Sequence, residues 1–289
     1  MKTTQLIISG SLLLAACFYV AAPIQAASPK KVLVVTTTTG FRHSSIPTAE
    51  RIIAQLGKDS GTFMVEYARV EPNDPEFKGA DGKRDEAKVK EAIAKVLAEK
   101  MSPAALKGYD AVIFANTTGD LPLPDKEAFI EWVKNGGGFV GMHAAADTFH
   151  GFSPYLEMVG AEFKKHEAQV QIEPINQDPQ CPACQSLPAN WKVFDEIYQF
   201  KNFERAKVHG LLTLDKHPNN GSPGDYPVSW CKEFGKGRVF YTSLGHREDV
   251  WDTEATDRKN PKEVAEAYQK HILEGIKWAV GLETWSAKP

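Results

Sequence analysis

The sequence predicts one α/β domain built on an open, doubly wound, mostly parallel sheet with an antiparallel extension. Two observations carry that prediction. Short runs rich in Val, Ile and Phe recur along the chain without clean alternation, as in strands covered on both faces. Amphipathic segments of helical period lie between them, and such alternation builds right-handed βαβ units.

The elements follow in order. Residues 31–37, 63–70, 110–116 and 138–143 read as buried strands, and 237–244 reads the same way near the end. In the helical segment 47–57, Ala49, Ile52, Ile53 and Leu56 share a face before the stop at Gly57. Segment 85–101 groups Val89, Ile93, Val96 and Leu97, with acids early and Lys100 late, which suits the helix dipole. Segment 124–135 ends at Gly136-Gly137-Gly138, and 261–281 aligns Val264, Tyr268, Ile272, Ile276 and Ala279. The rhythm breaks over 162–234, where strand-like runs at 169–175, 209–214 and 226–232 lack helices between them. That stretch is expected to form a side layer on the same domain.

Export is read at the N-terminus. Lys2 and the apolar stretch from Leu6 to Ile24 precede a small residue, Ala26, so 1–26 reads as a signal peptide and 27–289 as the mature domain. Leu14-Ala15-Ala16-Cys17 offers a lipoprotein box as the competing reading, but Phe18-Tyr19-Val20 prolongs the apolar run where a polar tether belongs. The destination is periplasmic or extracellular, with no membrane span in the mature chain. In an exported protein Cys181-Pro-Ala-Cys184 reads as a local disulfide staple; a zinc knuckle would need a second such pair. A formal net charge of −3 across 289 residues excludes nucleic acid as the expected partner.

Chemistry is sought where strands end, because open sheets bind ligands beyond their carboxyl edges. Thr39-Gly40-Phe41-Arg42-His43 follows the first strand, Asn116-Thr117-Thr118-Gly119-Asp120 the third, and Gly245-His246-Arg247-Glu248-Asp249 the last. After the fourth comes His143, amid Gly141, Ala144 and Ala145. Small neighbours let a sharp strand-to-helix turn expose the central side chain, as in nucleophile elbows. Histidine there can move protons or ligate a metal, and Asp147 would follow one helical turn later. His166 and the acids Asp195-Glu196 add candidates from the side layer, and Trp230 could stack on a sugar or fill core.

At these residues the sequence resembles the ThuA-like (trehalose-utilisation) family. The similarity runs through Thr39-Gly40-Phe41-Arg42-His43-Ser44, the stretch 138–147, the stretch 156–166, Asp195-Glu196-Ile197-Tyr198, Val228-Ser229-Trp230 and the stretch 235–246. The resemblance implies a flavodoxin-like fold related to class I glutamine amidotransferases. In those enzymes a cysteine stands where this chain has His143, so glutamine hydrolysis through a thiolate is not expected. Sugar metabolism is implied, often beside dehydrogenases that make 3-keto-sugars.

The expectation is an exported hydrolase or lyase acting on a sugar or 3-keto-glycoside. Catalytic roles are expected of His143, His246, His166, Glu196 and Asp147. Substrate contacts are expected of Arg42, His43, Asn116, Trp230 and Arg247. A divalent metal, if one binds, would sit among His143, His166 and His246. A non-catalytic sugar-binding protein and a metal-dependent hydrolase of another small substrate are the alternatives.

Overall fold

The computed structural model describes residues 28–289; the expected signal peptide, residues 1–26, and with it Cys17 lie outside the described residues. Strands run at Lys30–Val35 (β1), Phe63–Ala68 (β2), Ala111–Ala115 (β3), Gly138–Met142 (β4), Glu162–Lys165 (β5), Val170–Ile172 (β6), Ile175–Asn176 (β7), Val193–Asp195 (β8), Gln199–Lys201 (β9), His209–Lys216 (β10), Pro223–Phe234 (β11) and Gly237–Thr242 (β12). Helices run at Ile46–Ser60 (α1), Glu86–Lys100 (α2), Pro103–Leu106 (α3), Lys126–Lys134 (α4), Ser153–Val159 (α5), Pro182–Gln185 (α6), Glu248–Trp251 (α7) and Lys262–Ala279 (α8).

The central sheet has eight strands in the order β2-β1-β3-β4-β12-β11-β10-β7. The pairings β1/β2, β1/β3, β3/β4 and β4/β12 are parallel. Strands β11, β10 and β7 continue the sheet antiparallel. The parallel part is the flavodoxin-like order, with its switch point between β1 and β3.

Why the strands read as uniform apolar runs is visible in the packing. Val32 and Val34 face α1 and α8, while Leu33 and Val35 face the layer of α2, α4 and α5. Both sides of the inner strands β1, β3 and β4 are therefore buried. The helices start where side chains cap them: Asp85 accepts from the amides of Ala87 and Lys88, and Asp125 accepts from Ala128. Gly61 closes α1 in a left-handed conformation that a side chain would strain.

The side layer divides. Strands β10 and β11 join the main sheet, and the remainder forms two short ribbons, β5/β9 and β6/β8. The expected staple is corrected too: Cys181, Cys184 and Cys231 are buried free thiols, and the Cys184 thiol donates to the Leu211 carbonyl at 3.9 Å. Burial, rather than a covalent bond, holds that loop.

Trp230 settles on its core reading. It is 0% exposed, stacks on Tyr241 at 4.4 Å, and donates its indole N–H to the Val159 carbonyl at 2.8 Å. No ring face is left for a sugar. Trp230→Ala should therefore lower unfolding free energy by about 3–5 kcal/mol in urea titrations. Unchanged stability would contradict the core role.

Candidate metal centre

Strand β1 lies between β2 and β3, so the connections leaving it diverge and open a crevice at the carboxyl edge. The loop after β1 brings His43 there. The end of β4 brings His143, whose φ of 47° is the strained elbow conformation. The turn is tight: a Cβ on Gly141 would come within 2.8 Å of Tyr241, and Ala144 and Ala145 are fully buried. The loop after β12 brings His246, and the segment between β8 and β9 brings Glu196.

These four side chains converge. One ligand atom from each of His43, His143, Glu196 and His246 lies within 4.8 Å of all the others. The imidazole rings meet edge to face, with centroids 4.8 Å apart for His43–His143 and 5.3 Å for His143–His246 and His43–His246. His143 Nε2 is 3.7 Å and His246 Nδ1 is 3.4 Å from Glu196 Oε1. Nitrogen and oxygen donors around a tetrahedral divalent ion stand about 3.4 Å apart, so the spacing fits.

The decisive feature is what these atoms lack. His43 Nδ1, His143 Nε2 and His246 Nδ1 are buried without a hydrogen-bond partner among the described residues. Buried polar atoms are ordinarily paired, and three orphans in one cluster with a carboxylate make it a candidate cation site. The opposite nitrogen of His143 is taken: Nδ1 donates to the Ser243 carbonyl at 2.8 Å, which leaves a lone pair on Nε2.

Electrostatics agree. Burial, then the charges of His43 and His246, holds His143 well below the ordinary histidine range. His43 is pushed down to about 4, first by burial and then by His246. Both imidazoles are thus neutral at neutral pH, the form that ligates. Burial also works against charge on His246, but contact with Glu196 outweighs it and the pKa rises.

The remaining sequence candidates separate. His166 stands at the rim, its side chain 45% exposed, with Nδ1 3.0 Å from Glu196 Oε2 and from the Glu167 carbonyl. The cluster that could hold an ion therefore contains His43, and His166 stands outside it. Asp147 does not reach His143, because the segment His143–Asp147 winds as a 3-10 turn and its carboxylate meets His150 Nε2 at 2.6 Å. Arg42 turns away to Glu71 at 2.7 Å. Arg247 is buried against Asp249, Gln169 and the Asp257 carbonyl, a clamp on its own loop. Asn116, also buried, donates to Ser45 Oγ and the Gly245 carbonyl, tying three site loops together.

Sequence reasoning left three positioning groups unassigned. Asp195 accepts the amides of Gly245, His246 and Arg247, so it holds the His246 loop while burial lifts its pKa to about 6. Tyr198 covers the His143 ring at 4.4 Å, and the Tyr241 hydroxyl donates to the His143 carbonyl at 2.6 Å. The first two stand inside Asp195-Glu196-Ile197-Tyr198, so the motif itself was the available signal.

A family model described as trehalose utilisation, ThuA, matches residues 31–279. The chain belongs to the ThuA family. Among solved structures it is similar to a protein from Parabacteroides merdae described as ThuA-like, with TM-score 0.63, 19% identity, and coverage of 90% of this chain and 93% of the other. A ThuA-like protein from Bacteroides uniformis aligns with TM-score 0.60 and 19% identity over 90% of this chain and 95% of the other. A cytoplasmic protein from Salmonella typhimurium aligns with TM-score 0.50 and 11% identity, covering 90% of this chain and all of its own, 100%. At such identities the likeness is one of fold. No curated protein matches the chain. The ThuA assignment carries a relation to carbohydrate utilisation with it.

Two predictions follow from this geometry. Elemental analysis and calorimetry should find one divalent ion per chain, and alanine at His43, His143, His246 or Glu196 should weaken it by more than about a hundredfold. His166→Ala should keep the ion; its loss there, with retention in His43→Ala, would reverse the donor set. Separately, both nitrogens of His150 meet carboxylate oxygens, Asp147 at 2.6 Å and Glu162 at 2.7 Å, which only imidazolium can satisfy. Burial opposes its charge, but these bonds prevail and raise the pKa. A raised folded-state pKa stabilises below the unfolded value and ceases to do so as pH climbs through the folded one. His150→Ala should therefore cost more stability at about pH 5.5 than at about pH 9, measured by denaturant titration.

Proposed function

We propose that this ThuA protein is an exported carbohydrate-active enzyme, a hydrolase or lyase, acting on a sugar or 3-keto-glycoside beside a divalent cation. The observation that supports the reading is the cluster of His43, His143, His246 and Glu196, one ligand atom of each within 4.8 Å of the others, with a buried nitrogen of each imidazole left without a hydrogen-bond partner. Family membership supports the substrate class, and the N-terminal signal supports export. No helix among the described residues is long and apolar enough to cross a membrane.

His43, His143, His246 and Glu196 would hold the cation. When bound, it would polarise a sugar carbonyl or hydroxyl oxygen and stabilise negative charge developing there. The remaining work falls to the chain. Nδ1 of His166 lies against the Glu167 carbonyl and Glu196, so the proton sits on Nδ1 and Nε2 carries the lone pair. A histidine so oriented is a general base.

On a 3-keto-glycoside the ketone acidifies the C2 proton. His166 Nε2 takes that proton, and the C–H electrons form the enolate. As the enolate collapses, the C1–O bond breaks and the departing oxygen receives the same proton back from His166. Water added across the resulting double bond completes a net hydrolysis. Burial of His143 and Tyr198 keeps the inner side of the centre dry, which strengthens charge interactions there.

The test is turnover of a 3-keto-disaccharide by purified protein with added divalent metal. Release of monosaccharide should stop with chelator, and His166→Ala should lower kcat by about 10²–10⁴-fold with the ion retained. A metal-loaded protein that binds the keto-disaccharide yet leaves it intact would overturn the reading.

A further inference from the structure

We infer that Phe41 is the platform on which the substrate's sugar ring stacks, a specificity-determining residue at the rim of the metal centre. The inference rests on the carbohydrate reading above. Trp230, the aromatic the sequence offers for that task, is core. Phe41 is the reverse case: at 67% exposure it is the most exposed large apolar side chain among the described residues.

Its place is defined by the centre. The Phe41 ring meets His43 edge to face with centroids 4.9 Å apart, and His43 in turn lies 4.8 Å from His143. A ring resting on Phe41 would therefore stand beside the donor set rather than on a remote surface.

The loop that presents it is not loose. The Phe41 carbonyl accepts from Thr118 Oγ1 at 2.8 Å, and the Thr38 hydroxyl donates to Thr118 Oγ1. The Thr39 amide donates to the Thr118 carbonyl at 3.1 Å. Gly40 and Gly119 let the two backbones touch: a Cβ on Gly119 would sit 2.8 Å from the Gly40 nitrogen, and one on Gly40 would sit 2.8 Å from Thr118 Oγ1. A backbone tied across to the Thr118 loop thus holds a bare aromatic ring out to solvent.

That combination has a chemical use. Pyranose faces are lined with C–H groups that suit the electron-rich face of an aromatic ring. A ring already fixed loses little freedom on binding, so more of the contact appears as affinity. Phe41 offers no hydrogen bond and no charge, so its contribution is to binding and orientation, while proton transfer stays with His166.

The experiment compares metal-loaded wild type, Phe41→Ala and Phe41→Trp on a 3-keto-glucoside. Phe41→Ala should raise KM about tenfold, the scale of one lost aromatic contact, with kcat within about twofold of wild type. Phe41→Trp should restore KM. Metal content and thermal midpoint should stay at wild-type values in both, since an exposed ring supports neither. An active wild type whose KM is unmoved in Phe41→Ala, or a variant that loses kcat instead, would overturn the platform alone. A metal-loaded wild type that neither binds nor converts the keto-glucoside would overturn the carbohydrate reading, and the platform with it.

Discussion

The hydrogen bond from His143 Nδ1 to the Ser243 carbonyl, 2.8 Å long, is the constraint on which the centre depends. It crosses between the carboxyl ends of two neighbouring parallel strands, β4 and β12, so the sheet itself sets the ring's position. It also fixes the tautomer. With the proton on Nδ1, Nε2 can only accept, and burial keeps it from finding water. The positive φ at His143 and the Tyr241 hydroxyl on its carbonyl hold the same arrangement from the backbone side. Strain of this kind persists only where surrounding packing over-determines it.

Around that ring, adjacent acids divide the work. Asp195 and Glu196 are consecutive, yet one spends its oxygens on three backbone amides and the other faces three histidines. The extended backbone explains the split, because successive side chains there point to opposite sides. Asp195 anchors the loop that carries His246, and Glu196 supplies negative charge to the centre. His166 then joins the outer oxygen of Glu196 to solvent. The centre is graded from dry at His143 to wet at His166, which suits a site that holds charge inside and exchanges protons at its mouth.

Much of the fold was legible in the residues. The uniform apolar runs of β1, β3, β4 and β12 announced strands covered on both faces, and Gly136 followed the helix read at 124–135; the stop read at Gly57 lies inside α1, which runs on to Ser60 and closes at Gly61. The site was legible as a list of strand-end histidines, and His143 as the elbow. Roles were less so. Arg42, Asp147, Arg247 and Trp230 belong to motifs that also contain site residues, but each has a nearer partner: Glu71, His150, Asp249 and the Val159 carbonyl. Such pairings join residues distant in sequence or depend on a turn's hand, and neither is encoded in spacing.

By itself the sequence determined the α/β class, the carboxyl-edge location of the chemistry and the presence of histidine in place of a nucleophilic cysteine. These follow from local patterning, which hydrophobic period and turn residues express directly. Only the tertiary structure decided that His43 clusters with His143, His246 and Glu196 while His166 stands at the rim, that Trp230 is core, and that Phe41 is the ring left facing solvent. Those outcomes depend on which side chains the packed sheet brings within a few ångströms, and on which polar atoms it leaves without a partner.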